Sequence, residues 1–248
     1  MTHAPTDRRL LRLSGADVRD FLQGLISNDV ARAETGLAYA ALLSPQGKYL
    51  ADFFVRREGE AWFLDVAEGL AQALAMRLNM YRLRADVRIE ATERTVALLA
   101  DPAEGALPDP RDPGMGWRHY DATGGMDRAE YDARRVAHLV PESGVELIPN
   151  ETYILEAGFE RLGGVDFRKG CYVGQEVTAR MKHKTELRKG LARVAVEGEA
   201  PVGTPILAEG REVGTLYTQA GGAGIAYLRH GRVRDAMQAG EATIRPIG

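Results

Sequence analysis

The sequence predicts an α+β protein whose antiparallel sheets are followed by a small C-terminal β-barrel. In the first hundred residues, strand patterns are interrupted by only two helical patterns, unlike the regular alternation of a βαβ chain. From Leu191 onward, short strand patterns separated by glycines predominate, as in a small all-β unit. The chain has 248 residues, 45% hydrophobic and 27% charged, which is typical of a globular protein.

The first helix is predicted to begin after Ser14. Asp17 follows three residues later, an arrangement that caps helix N-termini. Apolar residues then recur at the spacing of one helix face: Val18, Phe21, Leu22 and Leu25. We expect this helix to end between Gly24 and Asn28.

A β-hairpin is predicted next, with strands at 39–44 and 49–57 joined by Pro45-Gln46-Gly47. Alternation along the second strand places Leu50, Asp52 and Phe54 on one face, and Tyr49, Ala51, Phe53 and Val55 on the other. Asp52 therefore has apolar neighbours on its own face. It is either a hydrogen-bonded strand carboxylate or a functional group. Further strands are predicted at 61–66, 87–89 and 95–100, and a helix at 69–84.

The second half of the chain begins with a proline-rich and acidic segment. Residues 101–116 contain four prolines and four acidic residues, which predicts an ordered excursion or a linker. A helix is predicted at 127–139, with Ala129, Val136 and Leu139 facing inward. Irregular chain is then expected as far as Gly174, followed by a helix at 175–181. Beyond a boundary near Lys189, strands are predicted at 191–196, 206–208, 213–218, 224–228 and 242–244.

Several classes of function lack support in the sequence. A net charge of −3 argues against a general nucleic-acid binder, and no apolar run is long enough to span a membrane. Phosphate loops, dinucleotide fingerprints, serine-nucleophile elbows and histidine pairs at metal-binding spacing do not occur. The single cysteine, Cys171, excludes an intrachain disulfide framework and fits a reducing compartment. With no apolar secretory segment in the first ten residues, we expect a cytoplasmic protein.

Basic residues cluster around that cysteine. The stretch from Arg168 to Lys189 carries a net charge of +5, whereas the remainder of the chain carries −8. Such a run is either an ordinary solvated surface or an attractive field for an anionic ligand.

The densest motif is the octapeptide 169–176, Lys-Gly-Cys-Tyr-Val-Gly-Gln-Glu. Its two glycines allow the backbone to approach a ligand closely. Lys169 and the N-terminus of the following helix would favour a Cys171 thiolate, although a free cysteine is commonly a small buried hydrophobe. Glu176 is either a partner of the helix dipole or an acceptor for the edge of a nitrogen heterocycle. No general base stands out near Cys171, so covalent catalysis has little support.

This octapeptide resembles the signature of the YgfZ-type folate-binding proteins, relatives of the aminomethyltransferase (T-protein) of the glycine cleavage system. The similarity covers most of residues 10–230, with matching blocks at 21–24, 27–30, 42–48, 51–53, 145–150 and 163–167. The resemblance implies a three-lobed ring of small domains around a central cavity that binds tetrahydrofolate, with or without a polyglutamate chain. It also implies a role in assembling or repairing iron–sulfur clusters, for which the signature cysteine is needed.

The resemblance also implies a domain plan. We expect an N-terminal α+β domain (1–95), an abbreviated ferredoxin-like middle domain (96–150), a signature segment that returns to the cavity (151–189) and a C-terminal β-barrel (190–248). The expected partners are folate and iron–sulfur client or assembly proteins. Neither nucleic acid nor a membrane is expected as a partner, and the chain is expected to be a monomer.

Within this resemblance, Cys171 and Asp52 are the candidate catalytic residues, and no metal ligand is expected. The candidate folate-binding residues are Lys169, Gly170, Tyr172, Gly174, Gln175, Glu176, Asn28, Tyr81 and Arg82. For Lys169, stabilisation of the thiolate and binding of a folate carboxylate both remain open.

The enzyme question depends on the residue before Asp52. T-proteins carry paired aspartates after the hairpin, whereas this chain has Ala51-Asp52. The favoured function is therefore a folate-binding accessory protein for iron–sulfur enzymes. The alternatives are a folate-dependent aminomethyl or methyl transferase that uses Asp52, and an interaction module with a vestigial cavity.

Overall fold

The structure is a computed structural model that describes residues 7–183 and 187–247. Its N-terminal part is a five-stranded antiparallel sheet with the strand order β2-β3-β4-β1-β5. The strands are β1 (Arg8–Ser14), β2 (Ala38–Leu43), β3 (Tyr49–Glu58), β4 (Ala61–Ala67) and β5 (Arg88–Ala91). Helices α1 (Val18–Gln23) and α2 (Glu68–Arg82) and a 3-10 helix (Val30–Glu34) belong to the same part.

The two faces of this sheet belong to different hydrophobic cores. On the outer face, residues such as Phe53 and Leu64 pack with α1 and α2. On the inner face, Tyr39 and Phe54 pack with residues from later in the chain, including Phe159. Because side chains alternate across a strand, a strand inside such a sheet is covered on both of its faces, and β2 is buried throughout.

The start of the chain differs from the sequence prediction. Ser14 ends strand β1 and does not cap α1; Asp17 holds the N-cap position without a side-chain capping bond. The Asp17 carboxylate instead accepts a hydrogen bond from the backbone N–H of Asp86. Strand β1 was not predicted, because adjacent Leu10 and Leu11 enter different cores and no polar–apolar alternation results.

A β-bulge decides which face of β3 carries Tyr49. Leu42 lies opposite Ala51, but Leu43 lies opposite Tyr49, so that Leu50 is the extra residue. Tyr49 therefore joins the inner core, together with Asp52, and not the face of Ala51 that simple alternation predicts.

The middle of the chain forms a three-stranded sheet with the order β6-β8-β7. Its strands are β6 (Val96–Leu99), β7 (Leu107–Pro108) and β8 (Trp117–Tyr120), and helix α3 (Arg128–His138) follows. The proline-rich segment contains β7 and a 3-10 turn (Pro113–Met115), so it is an ordered excursion. Helix α3 buries Tyr131, Arg135 and Val136, whereas Ala129 is exposed, contrary to the prediction. Val136 is buried as predicted, whereas Tyr131 and Arg135 were missed, since an arginine at an inward position interrupts the apolar pattern.

The C-terminal part is the closed barrel that the sequence predicts. After helix α4 (Gln175–His183), six strands close in the order β10-β11-β12-β9-β14-β13. They are β9 (Lys189–Glu197), β10 (Thr204–Ala208), β11 (Arg211–Ala220), β12 (Ala223–Arg229), β13 (Met237–Ala239) and β14 (Ala242–Pro246). Strand β13 was not predicted, since three residues are too few for a periodic pattern. Across the described ranges, no helix is both long and apolar enough to cross a membrane.

A buried polar bridge joins α3 to the barrel. The Arg135 guanidinium lies 2.9 Å from Glu146 and donates to the Thr218 hydroxyl of β11 at 2.8 Å. That hydroxyl donates in turn to Glu146 at 2.6 Å. The three side chains are buried and satisfy one another, so the barrel and helix α3 share one polar core.

Candidate functional site

A cavity of about 590 Å³ lies against the inner face of the N-terminal sheet. The start of α2 and the loop after α3 complete its wall. The lining comprises Asp7, Arg8, Asp52, Ala67, Glu68, Gly69, Leu70, Arg111, Arg128, Tyr131, Pro141, Glu142, Ser143, Gly144 and Val145. This volume falls in the range of about 300–1,000 Å³ found for small-molecule sites.

Asp52 lies on the cavity wall, and its carboxylate accepts three hydrogen bonds from hydroxyl groups. Tyr39 donates at 2.9 Å, Tyr49 at 2.6 Å and Ser143 at 2.5 Å. Burial, followed by the charge of Asp52, raises the pKa of both tyrosines well above the ordinary value. Both therefore stay protonated and donate, and the buried carboxylate is satisfied.

Three arginines and two aspartates form a buried network beside Asp52. Asp65 lies 2.6 Å from both Arg8 and Arg118. Asp109 lies 2.8 Å from Arg111 and 3.4 Å from Arg118. Together with Asp52, three positive charges thus face three negative ones, as a buried cluster requires.

This network changes the pKa values of its carboxyl groups. Burial by itself would raise the pKa of Asp65, but the attraction of Arg8 and Arg118 outweighs it and the pKa lies below the ordinary value. The same balance, with Arg111 as the main partner, lowers the pKa of Asp109. Both aspartates are therefore ionised at neutral pH.

Acid is expected to destabilise the fold through these two aspartates. Their contribution is complete above the unfolded-state pKa of about 4 and is lost as the pH falls through the lower folded-state values. At pH values below about 4, we expect the melting temperature of the wild type to decrease. The difference in melting temperature between the wild type and Asp65→Asn should become smaller in the same pH range. Thermal unfolding from pH 6 downward measures both effects; a difference that stays constant to pH 2 would contradict the assignment.

Two arginines present unused donors to the cavity. Arg8 donates through Nε to the Asp65 carboxylate and through Nη2 to the Asp65 backbone carbonyl oxygen. Arg111 donates through Nε and Nη2 to the two oxygens of the Asp109 carboxylate. Among the described residues, neither Nη1 atom has a hydrogen-bond acceptor. Since a guanidinium suits carboxylates and phosphates, the cavity can bind an anionic group beside Asp52.

The signature octapeptide forms a loop that docks onto other elements, and it does not line the cavity. The Lys169 ammonium donates to the carbonyl oxygens of Gln23, at 2.5 Å, and Ile26, at 2.6 Å. Burial lowers the pKa of Lys169 to about 8, despite the attraction of Asp29 and Asp166. Lys169 is thus still mainly charged at neutral pH and binds the loop to the C-terminal end of α1.

Three other signature residues also have structural partners. Tyr172 is buried in the inner core. The Gln175 side chain accepts a hydrogen bond from the Tyr172 backbone N–H at 3.1 Å, which closes the turn before α4. Gly174 has φ +82°, and a Cβ there would lie 2.5 Å from the carbonyl oxygen of Ser44. Glycine is therefore required where the signature loop meets the β2–β3 turn.

The remaining signature candidates, Gly170, Cys171 and Glu176, are exposed. The thiol is therefore accessible and is not a buried hydrophobe. In the described part of the chain, no group of three or more His, Cys, Asp or Glu side chains is arranged to hold a metal ion.

The three weaker candidates do not reach the cavity. Asn28 is buried and donates to the carbonyl oxygens of Tyr39, at 2.8 Å, and Gly163, at 2.7 Å. Tyr81 and Arg82 lie at the end of α2, on the outer side of the sheet. The first three residues of this 15-residue helix line the cavity, and its last residues lie roughly 20 Å from its first residue along the axis.

Sequence reasoning found Asp52 but missed the groups around it. Arg8 was hidden in the unpredicted strand β1, and Arg111 lies in the segment that was read only as an excursion or a linker. Ser143 belongs to a loop without a motif. The Tyr49 hydroxyl reaches Asp52 only because of the bulge, for which the sequence carries no clear signal.

Comparison with known proteins identifies relatives that match most of this chain. Residues 188–247 match the family model of the CAF17 C-terminal β-barrel domain. The chain is 30% identical to the mitochondrial iron–sulfur cluster assembly factor IBA57 of Mus musculus, over 93% of this chain and 78% of that protein. For the IBA57 homologue of Phaeosphaeria nodorum the identity is 30%, over 90% of this chain and 68% of the relative. The homologue of Mycosarcoma maydis is 32% identical over 73% of this chain, but the alignment spans only 54% of that longer relative.

A solved structure has the same fold. The glycine cleavage system aminomethyltransferase T from Bartonella henselae superimposes with a TM-score of 0.77, over 100% of this chain and 86% of that one. The identity is 14%, so this likeness concerns the fold alone. It confirms the predicted fold class.

The predicted cytoplasmic location is wrong by this comparison. The IBA57 relatives are named as mitochondrial proteins, which points to that compartment. The prediction rested on one free thiol and on the lack of a secretory segment. A free thiol is compatible with any reducing compartment, so its presence could not distinguish the cytoplasm from the mitochondrion.

Proposed function

The chain belongs to the family of the iron–sulfur cluster assembly factor IBA57, and we propose that it supports iron–sulfur cluster assembly in other proteins with a folate bound in its cavity. The names of the relatives support the first part. The observation that carries the second part is the cavity of about 590 Å³ with Arg8 and Arg111 on its wall beside Asp52.

Tetrahydrofolate fits this set of residues chemically. Its glutamate carboxylates suit the free guanidinium donors of Arg8 and Arg111. Its nitrogen heterocycle carries N–H donors, and carboxylate oxygens of Asp52 and Glu142 line the same space. These residues would hold the ligand and orient it.

The basic residues around the signature contribute less to the binding of a folate carboxylate than their net charge implies. Lys169 is committed to the end of α1, and Lys182 is paired with Glu160. Lys184 and Glu186 lie outside the described residues. The cations best placed for a folate carboxylate are therefore the cavity arginines.

Calorimetric titration with tetrahydrofolate under anaerobic conditions tests the folate proposal. We expect saturable binding that Gly69→Trp weakens at least ten-fold. Gly69 lines the cavity, and no atom lies within 4 Å of a Cβ added there. We therefore expect the indole to fit without disturbing the core and to obstruct the cavity. Gly69→Ala is the matched control and should bind normally, as should Glu176→Ala. Absence of saturable binding to the wild type, or full binding by Gly69→Trp, would rule out a folate site in this cavity.

The cluster-assembly proposal is tested separately in cells that lack this chain. We expect iron–sulfur enzyme activities to fall and to be restored by the wild type but not by Cys171→Ser, because the exposed thiol is accessible to a partner. Glu176→Ala, at an exposed position in the first turn of α4, should restore activity. Full rescue by Cys171→Ser would exclude an essential role of the thiol. No observation separately favours a transferase, since the likeness to the aminomethyltransferase concerns the fold.

A further inference from the structure

Helix α2 carries an exposed apolar stripe at its C-terminal end. Met76, Met80 and Leu83 are 57%, 69% and 89% exposed. Their spacing, i, i+4 and i+7, places them along one side of the helix. Leu74 and Leu78 are buried against the sheet on the other side, so the stripe points away from the protein's own core.

These side chains form a patch and are not scattered. Seven large hydrophobic residues of the described chain are exposed, and three of them fall within these eight positions. Single exposed apolar residues are normal in globular proteins, whereas a contiguous group indicates an interaction site.

The conformation of Leu83 is a second observation. It ends α2 with φ +45° and ψ −103°, in a region that L-residues rarely adopt. A positive φ is adopted readily by glycine, which has no Cβ, and only rarely by other residues. Neither burial nor backbone preference explains a leucine here. Such strained residues persist where function requires them.

The segment of chain that carries the stripe is rich in arginine. Residues 69–89 contain Arg77, Arg82, Arg84 and Arg88, a single acidic residue, Asp86, and no lysine. Within the described residues, none of these four arginines lies within ion-pair distance of a carboxylate. The apolar stripe is therefore bordered by uncompensated positive charge.

We propose that the C-terminal end of α2 is a docking surface for a partner protein that presents an apolar contact surrounded by acidic residues. Interface cores are enriched in Met and Arg and depleted in Lys, and flexible methionines adapt to a partner. A lipid surface fits less well, because residues 69–89 contain no Trp or Phe to anchor them at an interface. This surface is separate from the cavity, which is lined by the opposite, N-terminal end of α2. The proposal therefore does not depend on folate binding.

A photo-crosslinking amino acid placed at Met80 of the full chain in living cells tests the proposal, with Val202 as control position. Val202 is 59% exposed, on the barrel. We expect a discrete adduct at Met80 only, and mass spectrometry should locate the cross-link in an apolar segment with acidic neighbours. Arg77→Glu together with Arg84→Glu should reduce the adduct at least ten-fold without impairing tetrahydrofolate binding.

Leu83→Gly should change stability and partner binding in opposite directions. Removal of the strain should raise the melting temperature, while loss of the leucine should reduce the adduct. No adduct above the Val202 background, an adduct insensitive to the charge reversals, or an adduct with a second copy of this chain would overturn the proposal. If the protein cosediments with phosphatidylglycerol vesicles, and this depends on Met76 and Met80, the surface binds a membrane and the proposal of a protein partner is wrong.

Discussion

Replacement of Arg118 by methionine is expected to destabilise the folded protein by about 3–5 kcal/mol, the usual cost of removing one partner from a buried ion pair. Arg118 is 1% exposed and lies between Asp65 and Asp109, with its guanidinium 3.6 Å from the centre of the Phe54 ring. Methionine retains much of the volume but none of the charge. Three buried carboxylates then face two guanidinium groups. Urea unfolding at pH 7 measures the loss.

Arg12→Met is the matched control for this prediction. Arg12 is also paired with a carboxylate, Glu90 at 3.4 Å, but both side chains are largely exposed. Pairs of this kind contribute little, so we expect stability close to that of the wild type. Equal losses for the two variants would mean that burial of the network is not the source of its contribution.

Gly174→Ala is expected to cost about 2–4 kcal/mol, combining an unfavourable positive φ with overpacking. The added methyl group would lie 2.5 Å from the Ser44 carbonyl oxygen and 2.9 Å from the Leu43 side chain. Helix α4 must then move away from the β2–β3 turn. We expect lower stability in urea and faster proteolytic cleavage of the signature loop.

Gly170→Ala, four residues earlier in the same loop, separates the two causes. Gly170 also has a positive φ, +95°, but nothing lies within 4 Å of an added Cβ. This variant should lose only the stability that the unfavourable positive φ costs, and its signature loop should be cleaved by proteases no faster than in the wild type. If both variants behave alike, close packing against the turn is not what requires glycine at Gly174.

Local periodicity was sufficient to predict much of the fold. The hairpin, α2, α4 and most barrel strands follow from alternation, helical spacing and turn residues. The failures have a common cause. In strand β1, adjacent leucines flanked by arginines enter different cores, and Arg135 faces inward on α3 to bind Glu146. Residue type alone does not reveal such partners.

The candidate site shows the same limit. The signature octapeptide indicated the family, yet Lys169, Tyr172 and Gln175 build the loop itself and leave the cavity to other residues. Arg8, Arg111 and Ser143 come together around Asp52 from three distant parts of the chain. Only the tertiary structure places these residues side by side, and no spacing in the sequence predicts that they are close.

The bridge from Arg135 through Thr218 to Glu146 has a consequence for how the molecule opens. If the barrel detached alone, Arg135 and Glu146 would lose the Thr218 hydroxyl that both contact, and a buried polar group left without its partner is costly. The barrel and α3 should therefore open together as one cooperative unit, with similar hydrogen-exchange protection. Although the barrel is closed by its own strands, its local stability is thus coupled to a helix that precedes it by about fifty residues in the chain.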